Sequence, residues 1–123
     1  MENKLKIQNF TDLEAWKVSH RLAIDVYQAT KKFPKEELFG IVSQLRRAAV
    51  SVTSNLAEGF SRNSAKDKAQ FYAIAKGSLT ELESQLLICR DIAYLPVSEH
   101  QALEEQIRKA NKLINGLIRY LRS

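Results

Sequence analysis

Glycine and proline are scarce in this chain, with four of the first and two of the second among 123 residues. That leaves little material for tight turns and argues against a fold of many short strands. Cysteine occurs once, at Cys89, so no disulfide framework exists and a reducing cytoplasm is the expected location. No apolar run approaches the ~20 residues needed to span a bilayer, so no membrane partner is expected. The start, Met1-Glu2-Asn3-Lys4, lacks the apolar stretch of a signal peptide. The four glycines, Gly40, Gly59, Gly77 and Gly116, stand apart, which excludes a glycine-rich phosphate loop. Neither histidine, His20 or His100, follows a glutamate by three residues. A carboxylate-bridged di-metal centre of the kind helical bundles hold is therefore not expected. Cys89 reads as a small core residue, and His20 as a core or interface residue rather than a general base. No enzyme, metal or cofactor is expected.

What the chain does have is apolar periodicity. Leu38, Val42, Leu45, Ala49, Val52 and Leu56 form one ladder in steps of three and four. Tyr72, Ala75, Leu79, Leu82, Leu86, Cys89 and Ala93 form a second, and Leu103, Ile107, Ala110, Ile114, Leu117 and Leu121 a third. Such steps align side chains on one side of an α-helix with the seven-residue period of knobs-into-holes packing. With a less regular N-terminal segment they predict an all-α fold: a single domain spanning 1–123, built as an antiparallel up-down four-helix bundle.

The punctuation places helices roughly at 12–31, 36–59, 65–94 and 99–122. Thr11 and Glu14 have capping-box spacing at the first start. Phe33-Pro34 ends that helix, and Glu36 and Glu37 suit the first turn of the next. Gly59 is expected as its C-terminal glycine. Ser64 with Asp67 opens the third helix, Leu95-Pro96 breaks it, and Ser98 with Gln101 caps the fourth.

The first helix carries two apolar faces. Leu13, Trp16, His20, Ala23, Ile24 and Tyr27 make one; Ala15, Val18, Leu22, Val26 and Ala29 lie nearly opposite, with Glu14, Arg21, Asp25, Gln28 and Lys32 between them. Two faces suggest one for the bundle and one for a neighbouring subunit, for which Ala15, Val18, Leu22 and Val26 are the candidates. The competing readings are that a small bundle tolerates the extra apolar residues, or that residues 5–10 fold over them. On the second helix, Ala48, Ser51, Asn55 and Gly59 form a stripe of small residues. It admits either another helix backbone or bulky side chains such as Trp16, Phe71 or Tyr72.

Charge gives the functional candidates. The net charge is +5, spread over both halves, which permits an acidic partner without requiring one. Arg108, Lys112, Asn115, Arg119 and Arg122 fall on one line opposite the fourth helix's ladder. The four cations among them are the first nucleic-acid candidates, as a stripe able to track phosphates. The same cations also complement a helix C-terminus, with Glu104 and Glu105 toward its start, so a merely solvated face is the competing reading. Arg46 and Arg47 are the second candidates; Arg47, Ser51, Ser54 and Glu58 share a side of the second helix.

Several segments carry a family resemblance. Phe10-Thr11-Asp12-Leu13-Glu14-Ala15-Trp16, Phe33-Pro34-Lys35-Glu36-Glu37-Leu38 and Gln44-Leu45-Arg46-Arg47-Ala48-Ala49-Val50-Ser51-Val52 are similar to the four-helix-bundle family named for 23S rRNA intervening-sequence proteins. Asn55-Leu56-Ala57-Glu58-Gly59, Gly77-Ser78-Leu79-Thr80-Glu81-Leu82-Glu83 and Tyr94-Leu95-Pro96 match its pattern too. The resemblance implies a non-enzymatic bacterial protein that assembles as a ring-like homopentamer. A related branch, the accessory proteins of diversity-generating retroelements, binds nucleic acid with a reverse transcriptase. RNA or DNA, and a protein partner, are the partners this implies. The alternative is a structural scaffold without nucleic-acid binding.

Overall fold

A computed structural model describes residues 6–122. Four helices account for most of it: α1 (Glu14–Thr30), α2 (Ile41–Ser61), α3 (Ala65–Asp91) and α4 (Val97–Arg122). Short 3-10 turns at Phe10–Asp12 and Lys35–Glu37 precede α1 and α2, and no strand occurs among the described residues. Each helix packs against the next in sequence and α4 returns to α1. The three ladders supply the core: Leu45, Leu56, Leu79, Leu82, Ala110 and Ile114 are all fully enclosed.

The pairings between helices are specific. Between α2 and α3, Gln44 meets Gln85, Ser51 meets Ser78 through their hydroxyls at 2.8 Å, and Gly59 abuts Tyr72. Between α1 and α4, Gln106 donates to Asp25 at 2.9 Å, and just past the end of α1 Lys32 pairs with Glu99 of α4 at 2.8 Å. The polar strip of α1 thus runs along α4. The small-residue stripe of α2 receives α3 of the same chain. A Cβ at Gly59 would lie 2.7 Å from a Tyr72 ring carbon, so the glycine accommodates a bulky neighbour.

Several boundaries differ from the sequence expectation. Thr11 and Glu14 form no capping box. The box is instead Asn9 with Asp12: the Asn9 side chain accepts from the Thr11 amide, and Asp12 accepts from the amides of Gln8 and Asn9. Those two amides hold the Asp12 carboxyl below its ordinary pKa. Helix α2 opens at Ile41 rather than 36, because Lys35–Glu37 closes as a separate 3-10 turn after Pro34. Leu38 therefore lies outside the helix and is exposed. Gly59 sits inside α2, which continues to Ser61.

The Ser64 cap forms as expected, its hydroxyl accepting from the Asp67 amide at 3.1 Å. Helix α3 ends at Asp91, three residues early. Ala93 adopts a left-handed φ of 66°, and the Tyr94 amide reaches back to the Cys89 carbonyl at 2.9 Å. That is the geometry of a Schellman ending, usually built on glycine. Helix α4 opens after Pro96, so Ser98 lies within its first turn rather than capping it.

The connections 31–40 and 92–96 meet at one end of the bundle. Phe33 packs on Tyr94, ring centres 5.5 Å apart, and the Tyr94 hydroxyl donates to Glu37 at 2.8 Å. At the opposite end of α1, Phe10 covers Trp16 edge-on at 5.4 Å and His20 stacks on the other side at 4.6 Å. The expected covering segment is thus represented by Phe10; Leu5 and the start of the chain lie outside the described residues. No helix of the described residues is long and apolar enough to cross a membrane.

Candidate nucleic-acid interface

Helix α4 buries Leu103, Ile107, Ala110 and Ile114 on its inner side, and Leu117 and Leu121 pack at the core's margin. Three- and four-residue spacing therefore turns Arg108, Lys112, Arg119 and Arg122 outward, and all four are exposed. Arg108 makes an exposed ion pair with Glu105 at 3.3 Å. Such a pair is worth little in water and yields readily to a phosphate. Lys112, Arg119 and Arg122 have no carboxylate within ion-pair reach among the described residues.

Toward the start of α4 the stripe gives way to a charged cluster. His100 is only 5% exposed, and its Nε2 lies 3.9 Å from Glu104 Oε1. Neither of these buried atoms has a hydrogen-bond partner among the described residues. A hydrogen bond between the Glu83 and Glu104 carboxyls, then burial, raises the Glu83 pKa. Burial, then the nearby Arg90 charge, lowers that of His100. The two carboxyls favour sharing a proton, and the imidazole favours neutrality. Among the described residues no group of three or more His, Cys, Asp or Glu is arranged to hold a metal ion.

The second candidates lie elsewhere. No Cα of α2 lies within 8 Å of one of α4, so Arg46 and Arg47 form a surface separate from the stripe. The Arg46 guanidinium lies over the Tyr27 ring, 4.6 Å from its centre, and its Nε donates to Thr30 Oγ1 at 3.0 Å. Arg47 is exposed. Glu58, which shares its side of α2, pairs instead with Arg62 at 2.7 Å.

The candidate subunit interface needs correction. Ala15, Leu22 and Val26 are buried within the chain's own bundle, and Val18 is half-buried against the same core. The three buried residues leave no surface for a neighbour, and Val18 keeps only part of its own. Of the other face, Leu13 and Ala23 are buried as well and Trp16 is half-buried, while His20, Ile24 and Tyr27 are exposed. Sequence could not choose between the faces, because both are apolar and spaced for a helix.

One feature of the surface escaped sequence reading altogether. Phe39, on the connection between α1 and α2, is 93% exposed, and Leu38 beside it is 47% exposed. The signal available was two adjacent large apolar residues directly before Gly40, which cannot both face one core.

No curated protein matches the chain. The family model described as 23S rRNA-intervening sequence protein matches residues 11–116, from the turn before α1 to the last part of α4. With the four packed helices, this match over most of its length shows that the chain belongs to the 23S rRNA-intervening sequence protein family.

Proposed function

We propose that the chain is a non-enzymatic, self-associating helical adaptor that binds nucleic acid, RNA foremost, along the outer side of α4. The observation carrying this reading is that Lys112, Arg119 and Arg122 project from one helix side with no carboxylate partner among the described residues. Cations spaced a helical turn apart suit a line of phosphates, and the net charge of +5 favours approach.

An antiparallel up-down order of the helices underlies the reading. The contacts Gln44–Gln85, Ser51–Ser78 and Gly59–Tyr72 support it, since one number falls as the other rises. Self-association, as the homopentamer the resemblance implies, is supported by half-exposed Ile74 and Ile88 on one side of α3 and Ile92 just beyond its end. The same apolar surface favours a second reading, a protein-interaction scaffold whose partner is another protein, such as a reverse transcriptase.

Titration of labelled single-stranded RNA and duplex DNA at two salt concentrations tests the first reading. Affinity should fall with a log–log slope of about −0.7 to −0.9 per phosphate neutralised. A variant with Arg108, Lys112, Arg119 and Arg122 changed to Gln should lose most of it. Absence of binding at low salt leaves the scaffold; equal binding by the variant makes the stripe a solvated face.

A further inference from the structure

The exposed ring of Phe39 stands over a furrow of about 460 Å³ between α1 and α2, floored by Val42 and bordered by Tyr27, Arg46 and Arg47. A second hollow of about 310 Å³ continues it toward the 31–40 connection and brings in Lys31 and Lys35. The two share Leu38, Val42 and Arg46, so they form one surface. Four cations line it and no carboxylate does. Of the connection's two glutamates, Glu36 is exposed outside both hollows and Glu37 is turned to the Tyr94 hydroxyl.

We infer that this furrow binds unpaired nucleotides of a single strand, with a base stacked on Phe39 and phosphates held by Arg46 and Arg47. The inference rests on the nucleic-acid reading above and adds a site and a strand state to it. The charge is complementary to a polyanion along the whole furrow. The aromatic component is complementary to bases, which stack on exposed rings without regard to sequence.

The groups are already in place. The Leu38 amide donates to the Lys35 carbonyl at 3.1 Å and the Gly40 amide to the Glu37 carbonyl at 3.0 Å, which fixes the backbone on both sides of Phe39. Arg46 is held by the Tyr27 ring and by Thr30, yet only one of its five N–H donors is committed to that hydroxyl. Arg47 has no ion-pair partner among the described residues. A duplex keeps its base faces within the stack, so Phe39 selects for strands whose bases are free to turn out.

The test uses fluorescence anisotropy with short labelled oligo(U), oligo(dT) and a duplex of equal length. Sedimentation velocity on the same samples reports the state of assembly. Phe39→Ala should weaken single-strand binding about tenfold, the loss expected for one stacked base, and leave duplex binding unchanged. Phe39→Tyr should retain affinity, and Arg47→Gln should lower it while reducing the salt slope. If wild type binds single strands and Phe39→Ala binds them equally, the furrow is not the site, though the α4 stripe stands. If wild type binds no nucleic acid, the adaptor reading fails and this inference with it. If Phe39→Ala instead shifts the sedimentation coefficient, the furrow is a contact between copies of the chain, which also overturns the inference.

Discussion

Gly59 and Gly77 differ in what a methyl group would meet. At Gly59 it would collide with the buried Tyr72 ring, whereas nothing lies within 4 Å of the Gly77 position. Gly59→Ala should therefore destabilise by about 1–3 kcal/mol through overpacking, and Gly77→Ala should stabilise by roughly 0.5–1 kcal/mol through helix propensity. Urea titration of the two variants should show opposite displacements of the midpoint. Ala93 offers a third contrast: its left-handed backbone is strained with a Cβ, so Ala93→Gly should raise stability by up to about 1 kcal/mol.

Cys89 is fully enclosed, and burial, then the Glu37 charge, pushes its thiol up to about 11. Its folded pKa exceeds the ordinary 9.0, so the contribution to stability is complete below 9 and is lost as pH rises toward 11. A thiol reagent at neutral pH should label the protein only after denaturant unfolds it. At the other end of the scale, the lowered His100 pKa makes stability fall as pH drops below the ordinary 6.5. The raised Glu83 pKa has the opposite sign: it lowers stability as pH rises past the ordinary 4.5. Glu104→Gln removes the like charge, so thermal unfolding at pH 7 should move to higher temperature than in the wild type.

Among the elements, α2 and α3 carry the closest seam of the bundle. Leu45 and Leu82 are each fully buried in it. Truncation of either to alanine should cost about 2–5 kcal/mol, a large part of a total of roughly 5–15 kcal/mol. Leu45→Asp or Leu82→Asp should abolish the helical circular dichroism signal, because a buried unpaired charge costs more still. The start of α3 is separable from this. Ser64→Ala should lose about 1 kcal/mol by freeing the Asp67 amide. By contrast Thr11→Ala should cost less than Asn9→Ala, since Asn9 and not Thr11 forms the box. Paired thermal melts of these single variants distinguish a formed cap from a motif that only has its spacing.

For the molecule as a whole, cations and apolar surface mix in the α1–α2 furrow and part company elsewhere. Cations line the outer side of α4 and the α1–α2 furrow, while half-exposed isoleucines run along α3. The proposed assembly requires one of the apolar surfaces. Native mass spectrometry at micromolar concentration should show a multiple of the 14.0 kDa chain, with five copies the number the resemblance implies. A species at 14.0 kDa alone rejects self-association; two or four copies keep an interface and discard the pentamer. Ile88→Glu should then dissociate the assembly without unfolding the chain, since Ile88 is half exposed and outside the core.

Periodicity alone determined the helical class and most core positions of α2, α3 and α4, because a residue in register every three or four places has only one side of a helix to occupy. Ser64 was legible as a cap for the same local reason, and the outward direction of Arg108, Lys112, Arg119 and Arg122 follows from the positions of Leu103 and Ile107. Three things required the tertiary structure. The apolar face of α1 that turns inward was decided by which one α2 and α4 cover, not by its composition. Leu38 and Ala93 fit the ladders numerically, yet Pro34 and the Tyr94–Cys89 ending placed both outside the helices. The furrow beneath Phe39 joins α1, α2 and their connection, and no single stretch of sequence contains it. Local pattern fixes what lies along a helix; what lies between helices depends on how they pack.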